Sequence, residues 1–238
     1  MSIALTKIVP WGRSRGEYEL MFDLSREDLR GPILGCGDGP ASFNAELTPE
    51  GVRVISVDPL YQLNGSQIAA SFEETADSII GQVKATPGDW VWDIHGNPDE
   101  LRHARRRALN CFLGDYEQGR RAGRYVPAAL PRLPFANGAF RLALCSHLLF
   151  LYSDLLDERF HIQAAAELCR VATEVRIFPL LTLDLSTSRH VDAVRRALES
   201  RGITSSIERV GYELQRGGNR MLRLCRPSRA DHGLHCDT

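Results

Sequence analysis

The stretch Ile33-Leu34-Gly35-Cys36-Gly37-Asp38-Gly39-Pro40, with Asp58 further along the chain, decides the fold predicted for this protein. An apolar run, a glycine turn and a short helical stretch lead to a second apolar run, which ends at Asp58. This order is typical of a βαβ unit, which requires a parallel sheet. In such units the glycines let the backbone approach a ligand, and the acid after the second strand binds ribose hydroxyls. The stretch therefore predicts a pocket for a nucleoside cofactor.

The same residues resemble motif I of the class I S-adenosylmethionine-dependent methyltransferases. Pro40 stands where a dinucleotide fingerprint has its third glycine, which argues against NAD and FAD. When Gly37-Asp38-Gly39-Pro40 is aligned with the Gly-x-Gly-Pro of that family, Gly35 takes the place of the usual strand-end acid. Asp38 is then expected to supply a nearby carboxylate.

A second block, residues 133–147, is similar to the fourth-strand block of the same family. It begins Leu133-Pro134-Phe135 and continues through a small turn into an apolar strand, with Arg141 where an acid is usual. In the family the residue three places before Leu-Pro-Phe lies beside the adenine, and here that residue is Leu130. Its neighbour Ala129 replaces a frequent acid. We therefore expect apolar contacts and backbone amides to hold the adenine.

The resemblance implies an α/β fold with a doubly wound, seven-stranded, mostly parallel sheet. Two apolar stretches flank Gln215-Arg216-Gly217-Gly218-Asn219 and predict a terminal antiparallel hairpin, which is similar to the seventh-strand insertion of the methyltransferase fold. Bacterial proteins of unassigned activity share a similar glycine turn and hairpin. We predict a single methyltransferase-like domain over residues 1–238, with a flexible tail at 227–238.

Residues 61–123 are too long for a plain connection between two strands and predict a helical insertion. Helical periodicity covers Gln67–Val83 and Pro98–Gly119. Trp90, Trp92 and His95 lie between these two stretches. One interpretation is a lid over the cofactor that shapes a substrate pocket, and the other is a helical outrigger whose tryptophans only seal a small core.

Composition favours a globular enzyme that acts on small molecules over a protein that binds nucleic acid or spans a membrane. The chain has 238 residues, 43% of them hydrophobic, and a formal net charge of −1, so no global charge attracts nucleic acid. The basic run at 102–107 is interpreted as a solvated helix face. Six cysteines without a C-x-x-C pair and no long apolar run predict a cytoplasmic protein that does not span a membrane.

The resemblance also assigns the site residues. Cofactor contacts are expected from Gly35, Cys36, Gly37, Asp38, Asp58, Pro59, Leu130, Ser146, Arg13 and Tyr18. His147, after the fourth strand, is the candidate general base, although a structural histidine under the lid is an equal alternative. Trp92, His95 and Tyr152 are candidates for substrate binding. No metal site is predicted, because the histidines and Cys236 of the tail lack a second pair with ligand spacing.

Three functions follow from these observations. The first is an S-adenosylmethionine-dependent methyltransferase that acts on a small-molecule acceptor under the helical lid. The second is a protein that binds the cofactor without methyl transfer, because acids are missing at Gly35, Ala129 and Arg141. The third is an enzyme that cleaves or cyclises the aminobutyrate arm of the cofactor. The oligomeric state stays open.

Overall fold

Helices and strands alternate along residues 9–226, the part of the chain that the computed structural model describes; the predicted tail 227–238 lies outside it. The helices are α1 (Arg15–Phe22), α2 (Phe43–Leu47), α3 (Gly65–Ala85), α4 (Pro98–Arg121), α5 (Glu158–Val171) and α6 (Val191–Glu199). The strands are β1 (Ile33–Cys36), β2 (Val54–Val57), β3 (Tyr125–Val126), β4 (Phe140–Ser146), β5 (Ala172–Phe178), β6 (Thr204–Arg209) and β7 (Arg220–Cys225). None of the described helices is both long enough and apolar enough to cross a bilayer.

The strands form one seven-stranded sheet in the order β3-β2-β1-β4-β5-β7-β6. The first five strands are parallel, and β7 runs antiparallel to both of its neighbours. The predicted fold, including the terminal hairpin, is confirmed. The order reverses between β1 and β4, where Cys36 pairs with Cys145. A crevice forms at such a reversal, beyond the carboxyl ends of the strands, and ligands bind there.

Helices cover both faces of the sheet. Leu34 and Ala143 point into one core cluster, which α5 and α6 complete. Ile33 and Leu142 point into a second, the α1-side cluster, which holds side chains of α1, α2, α3 and α4. Because successive strand residues face opposite sides, a strand buried on both faces must be apolar throughout. This requirement explains the continuous apolar runs of the sequence.

The predicted insertion contains two long helices that pack against each other, α3 and α4. Asn64 caps α3 and Asn97 caps α4 by accepting hydrogen bonds from first-turn amides, contacts that each stabilise a helix by about 1 kcal/mol. The 86–92 loop is the first part of the connection between the two helices, and it is hydrogen-bonded to the β6–β7 connection. Val91 N donates to Leu214 O at 2.8 Å, and Arg216 N donates to Asp89 O at 2.9 Å.

The interpretation of the basic run at 102–107 as a solvated face is wrong for Arg105. Its side chain is 0% exposed and pairs with Glu17 of α1. Arg105 follows Leu101 by four residues and precedes Leu109 by four, so it lies on the buried face of α4. The flanking Arg106 is exposed, as predicted.

Candidate functional site

A cavity of about 630 Å³ lies at the carboxyl ends of β1, β2, β4 and β5. Its volume is in the range of small-ligand pockets. The last residue of each of these strands lines it: Cys36, Val57, Ser146 and Phe178. The cavity thus occupies the crevice that the reversal of strand order creates.

The glycine turn forms one wall of the cavity. Gly37 has a φ of +69° and Gly39 a φ of +52°, conformations that glycine adopts without strain. A Cβ atom at position 37 would lie only 2.8 Å from Leu148 Cδ2. The turn therefore needs glycine both for its backbone conformation and for close packing beside the ligand space.

The carboxylate of Asp38 occupies the place that a side chain at Gly35 would take. A Cβ atom built on Gly35 would fall 1.9 Å from Asp38 Oδ2. Tyr18 donates its hydroxyl to Asp38 Oδ1 at 2.8 Å, while Oδ2 is buried and has no hydrogen-bond partner among the described residues. The turn thus supplies a carboxylate beside the end of β1 although the strand itself lacks one.

The environment of Asp38 favours its neutral form. Its pKa lies at about 7 instead of 3.8, chiefly because burial disfavours the charged form. The hydroxyls of Ser56 and Tyr18 act in the opposite direction, and the nearby Asp58 carboxylate raises the pKa further. A cation bound beside Asp38 would reverse this balance.

Asp58 stands directly after β2 and faces the cavity. Its Oδ2 accepts from Gly39 N at 2.9 Å, and its Oδ1 accepts from Leu60 N at 2.8 Å. Burial raises the pKa of Asp58, and these two backbone hydrogen bonds lower it. The bonds fix the carboxylate in place, and each oxygen keeps a lone pair for a ligand.

Arg13 brings a positive charge to the cavity wall. Its Nη1 donates to Trp11 O at 2.8 Å, and its buried Nε has no hydrogen-bond partner in the described chain. Burial and the charge of Arg105 lower the pKa of Arg13. An unpaired buried donor of this kind suits an anionic group of a ligand.

A buried ion cluster lies behind Arg13. Glu17 accepts from Arg105 Nη1 at 2.6 and 2.8 Å and from the Tyr212 hydroxyl at 2.9 Å, and His95 Nε2 lies 3.3 Å away. Burial raises the pKa of Glu17, but the charge of Arg105 and the contact with His95 outweigh burial and leave it well below 4.5. One carboxylate therefore balances two guanidinium groups, the buried one of Arg105 and the half-buried one of Arg13.

His147 follows β4 with a φ of +54° and lines the cavity. Burial, with smaller contributions from the charges of Arg13 and Arg105, holds the pKa of His147 well below 6.5. Its Nδ1 lies 2.9 Å from Ser146 Oγ. His147 therefore presents a neutral imidazole at physiological pH.

The structure brings together most, but not all, of the residues predicted for the site. The predicted residues that line the cavity are Arg13, Cys36, Gly37, Asp38, Asp58, Pro59, Leu130, Ser146, His147 and Tyr152. Gly35 and Tyr18 lie behind Asp38 and contact the cavity only through it. Trp92 packs against Trp90, and His95 belongs to the ion cluster, so neither is part of the cavity wall.

Sequence reasoning missed Trp90, Tyr212 and Leu214 as wall residues and Glu17 as the centre of the ion cluster. The only sequence signal for the ion cluster was a charged residue on the apolar face of a helix, at Arg105. Among residues 9–226, no three histidine, cysteine or acidic side chains are arranged to hold a metal.

Among solved structures, the chain is distantly similar to two proteins of about 12–13% identity. The magnesium protoporphyrin IX methyltransferase of Synechocystis PCC 6803 with bound SAM is 13% identical, with a TM-score of 0.44 over 83% of this chain and 70% of that one. The PH0226 protein of Pyrococcus horikoshii OT3 is 12% identical, with a TM-score of 0.46 over 90% and 91% of the two chains. At these scores neither structure supports a conclusion about this protein.

A closer relative is found by sequence, while no family model matches the chain. The uncharacterized protein MJ0045 of Methanocaldococcus jannaschii is 31% identical over 212 residues, which cover 89% of this chain and 93% of that protein. An alignment of this length includes the glycine turn and the insertion. The chain therefore belongs to the same family as MJ0045 of Methanocaldococcus jannaschii.

Proposed function

We propose that the protein is an S-adenosylmethionine-dependent methyltransferase that acts on a small molecule. The charge pattern of the cavity is the observation that carries this proposal. Along its described wall the charged groups are Asp38, Asp58 and Arg13, two acids and one base. The cofactor offers a partner to each of these groups. Its ammonium suits one acid, its carboxylate suits the base, and its ribose suits the acid after β2.

The residues present fit the cofactor. Asp58 would hold the ribose hydroxyls, and Pro59 and Leu130 would contact the adenine. The unpaired Oδ2 of Asp38 suits the ammonium, and the unpaired Nε of Arg13 suits the carboxylate. Both orphaned atoms are buried polar groups whose lack of a partner is costly, so a ligand that pairs them gains affinity.

When bound, the cofactor supplies a methyl group on a sulfonium leaving group, and the chain supplies position. An acceptor held in line with that methyl group needs little further catalysis. The neutral imidazole of His147 would accept a hydrogen bond, or the departing proton, from the acceptor. We further propose that the insertion is a lid over the cavity, since Ser71, Ile79 and Val83 of α3 line it.

Calorimetric titration with S-adenosylhomocysteine, the demethylated product, tests this proposal. Wild-type protein should bind it, and Asp58→Ala should weaken binding by about 1–3 kcal/mol because hydrogen bonds to the ribose are lost. Asp77→Ala is the matched control, since Asp77 is an exposed acid on α3 that pairs with Arg102 away from the cavity. No binding to the wild type at millimolar concentration, or equal affinity of the Asp58 variant, would refute the proposal.

Binding without transfer was considered because acids are missing at three positions, and two of these positions do not affect the cavity wall. The Asp38 carboxylate stands over Gly35, and the Arg141 side chain pairs with Glu27 outside the cavity. Incubation with S-adenosylmethionine alone tests the third alternative, because release of methylthioadenosine would indicate attack on the aminobutyrate arm. Binding of the cofactor without product, both alone and with every acceptor offered, would indicate a protein that has lost transfer.

A further inference from the structure

We infer that the methyl acceptor is an uncharged, largely apolar small molecule, bound between the insertion and the β6–β7 connection. This inference rests on the proposed function, since it assigns the part of the cavity that the cofactor leaves free. It narrows the proposed acceptor from any small molecule to one without a net charge.

The cavity has two chemically different parts. One part holds the glycine turn, Asp58 and Leu130 at the ends of β1 and β2. The other part is walled by Ile79, Val83, Trp90, Leu101, Phe178 and Leu214, all of which belong to the α1-side cluster. These six residues are 1–7% exposed, and their side chains carry a single polar atom, the indole nitrogen of Trp90. That nitrogen donates to Thr86 Oγ1 at 3.0 Å, so the second part offers a ligand an apolar surface.

No ionised side chain in the described wall is left for the acceptor. Asp38 and Arg13 match the ammonium and the carboxylate of the cofactor, and Asp58 matches its ribose. Tyr212 lines the second part, but its hydroxyl donates to Glu17 at 2.9 Å. A charged acceptor would therefore lose its hydration without gaining a partner of opposite charge.

The polar groups that remain near the second part are uncharged. His147 lines the cavity and carries a neutral imidazole. The centroid of its ring lies 5.3 Å from that of the Phe178 ring. Gln215 also lines the cavity and pairs with Trp90 in an isolated β-bridge. An amide and a neutral imidazole suit an acceptor with one or two hydrogen-bonding groups on an apolar body.

The test compares three probes that share one ring system and differ in charge: 3-methylindole, indole-3-acetate and tryptamine. Each is titrated calorimetrically into the full-length protein saturated with S-adenosylhomocysteine. We expect the uncharged probe to bind at least about tenfold more tightly than either charged probe. Val83→Phe should fill the second part and weaken 3-methylindole binding by about tenfold or more, with S-adenosylhomocysteine affinity retained.

Gly81→Phe is the matched control, because it adds the same ring to the exposed side of α3, where no atom lies within 4 Å of the new Cβ. It should bind all probes as the wild type does. Equal or tighter binding of a charged probe, or no binding of 3-methylindole at millimolar concentration, would overturn the inference. Failure of the proposed function is distinguishable, since the protein would then not bind S-adenosylhomocysteine in the first place.

Discussion

Gly35 stands where an acid was expected at the end of β1, and Asp38 supplies a carboxylate in its place. Asp38 folds back over Gly35, so the two positions compete for the same space. Gly35→Ala should therefore destabilise the protein by about 1–3 kcal/mol through overpacking. Asp38→Ala in the same chain should relieve most of that loss, giving a coupling of roughly 1 kcal/mol or more in urea unfolding. Additive effects of the two substitutions would show that the side chains do not share this space.

The pKa of Asp38 predicts a pH dependence of cofactor binding. In the free protein this pKa is about 7, and an ammonium bound beside Asp38 lowers it because the cation favours the carboxylate. Protein with protonated Asp38 must then release a proton on binding. Affinity for S-adenosylhomocysteine should therefore fall as the pH decreases below about 7, by up to roughly tenfold per unit, and level off above about pH 8.

Titrations between about pH 5.5 and 8.5, in buffers of different ionisation enthalpy, measure both the affinity and the proton release. Asp38→Asn is the control, because it keeps an acceptor for the Tyr18 hydroxyl and cannot titrate. Its affinity should be lower at neutral pH and nearly independent of pH. A wild-type affinity that is flat across this range would place the ammonium elsewhere.

Local signals in the sequence were sufficient to predict helices whose ends and buried faces depend on nearby residues. The predicted stretches Gln67–Val83 and Pro98–Gly119 match α3 and α4 closely, because both helices have asparagine caps and regular apolar faces. The burial of Arg105 depends on a partner 88 positions earlier in the chain. Helical periodicity contains no information about such a partner.

Attachment of the 86–92 loop to the β6–β7 connection depends in part on Arg216. Its guanidinium donates to Gly88 O at 2.7 Å and to Trp90 O at 3.2 Å. Arg216→Ala should let the two segments separate more often, so the amide of Val91 should exchange with solvent about five- to tenfold faster. Hydrogen exchange followed by mass spectrometry measures this local opening.

Arg209→Ala serves as the control, since Arg209 is an exposed arginine on β6, the strand that leads into the same connection. It should leave exchange at Val91 unchanged. Trp90 walls the second part of the cavity. Faster exchange in the Arg216 variant would therefore indicate that the proposed lid can separate from the β6–β7 connection at this contact. Equal exchange in both variants would mean that backbone hydrogen bonds alone hold the loop.

For the molecule as a whole, the sequence predicted the sheet and the residues that line the cavity at the glycine turn, but not the residues of its apolar part. Gly37, Asp38 and Asp58 lie within short motifs whose geometry recurs in parallel sheets. The apolar part is assembled from segments far apart in the chain, such as those of Leu101 and Leu214. Trp90 rather than Trp92 faces the cavity, and only tertiary packing decides between two tryptophans two residues apart.

The Glu17–Arg105 pair links α1 to α4 and so joins the N-terminal part of the cavity wall to the insertion. Glu17→Gln keeps the side-chain shape but leaves the buried Arg105 without its carboxylate, so the free energy of unfolding in urea at neutral pH should fall by about 3–5 kcal/mol. Glu50→Gln, which removes an exposed partner of Arg15, should cost less than about 1 kcal/mol.

The destabilisation by Glu17→Gln should depend on pH. Since the pKa of Glu17 lies well below 4.5, the loss of stability should persist as the pH falls to about 4.5. It should shrink only at lower pH, where wild-type Glu17 itself becomes protonated. A Glu17 variant as stable as the Glu50 variant at neutral pH would show that the two helices hold the cavity wall together without this buried charge pair.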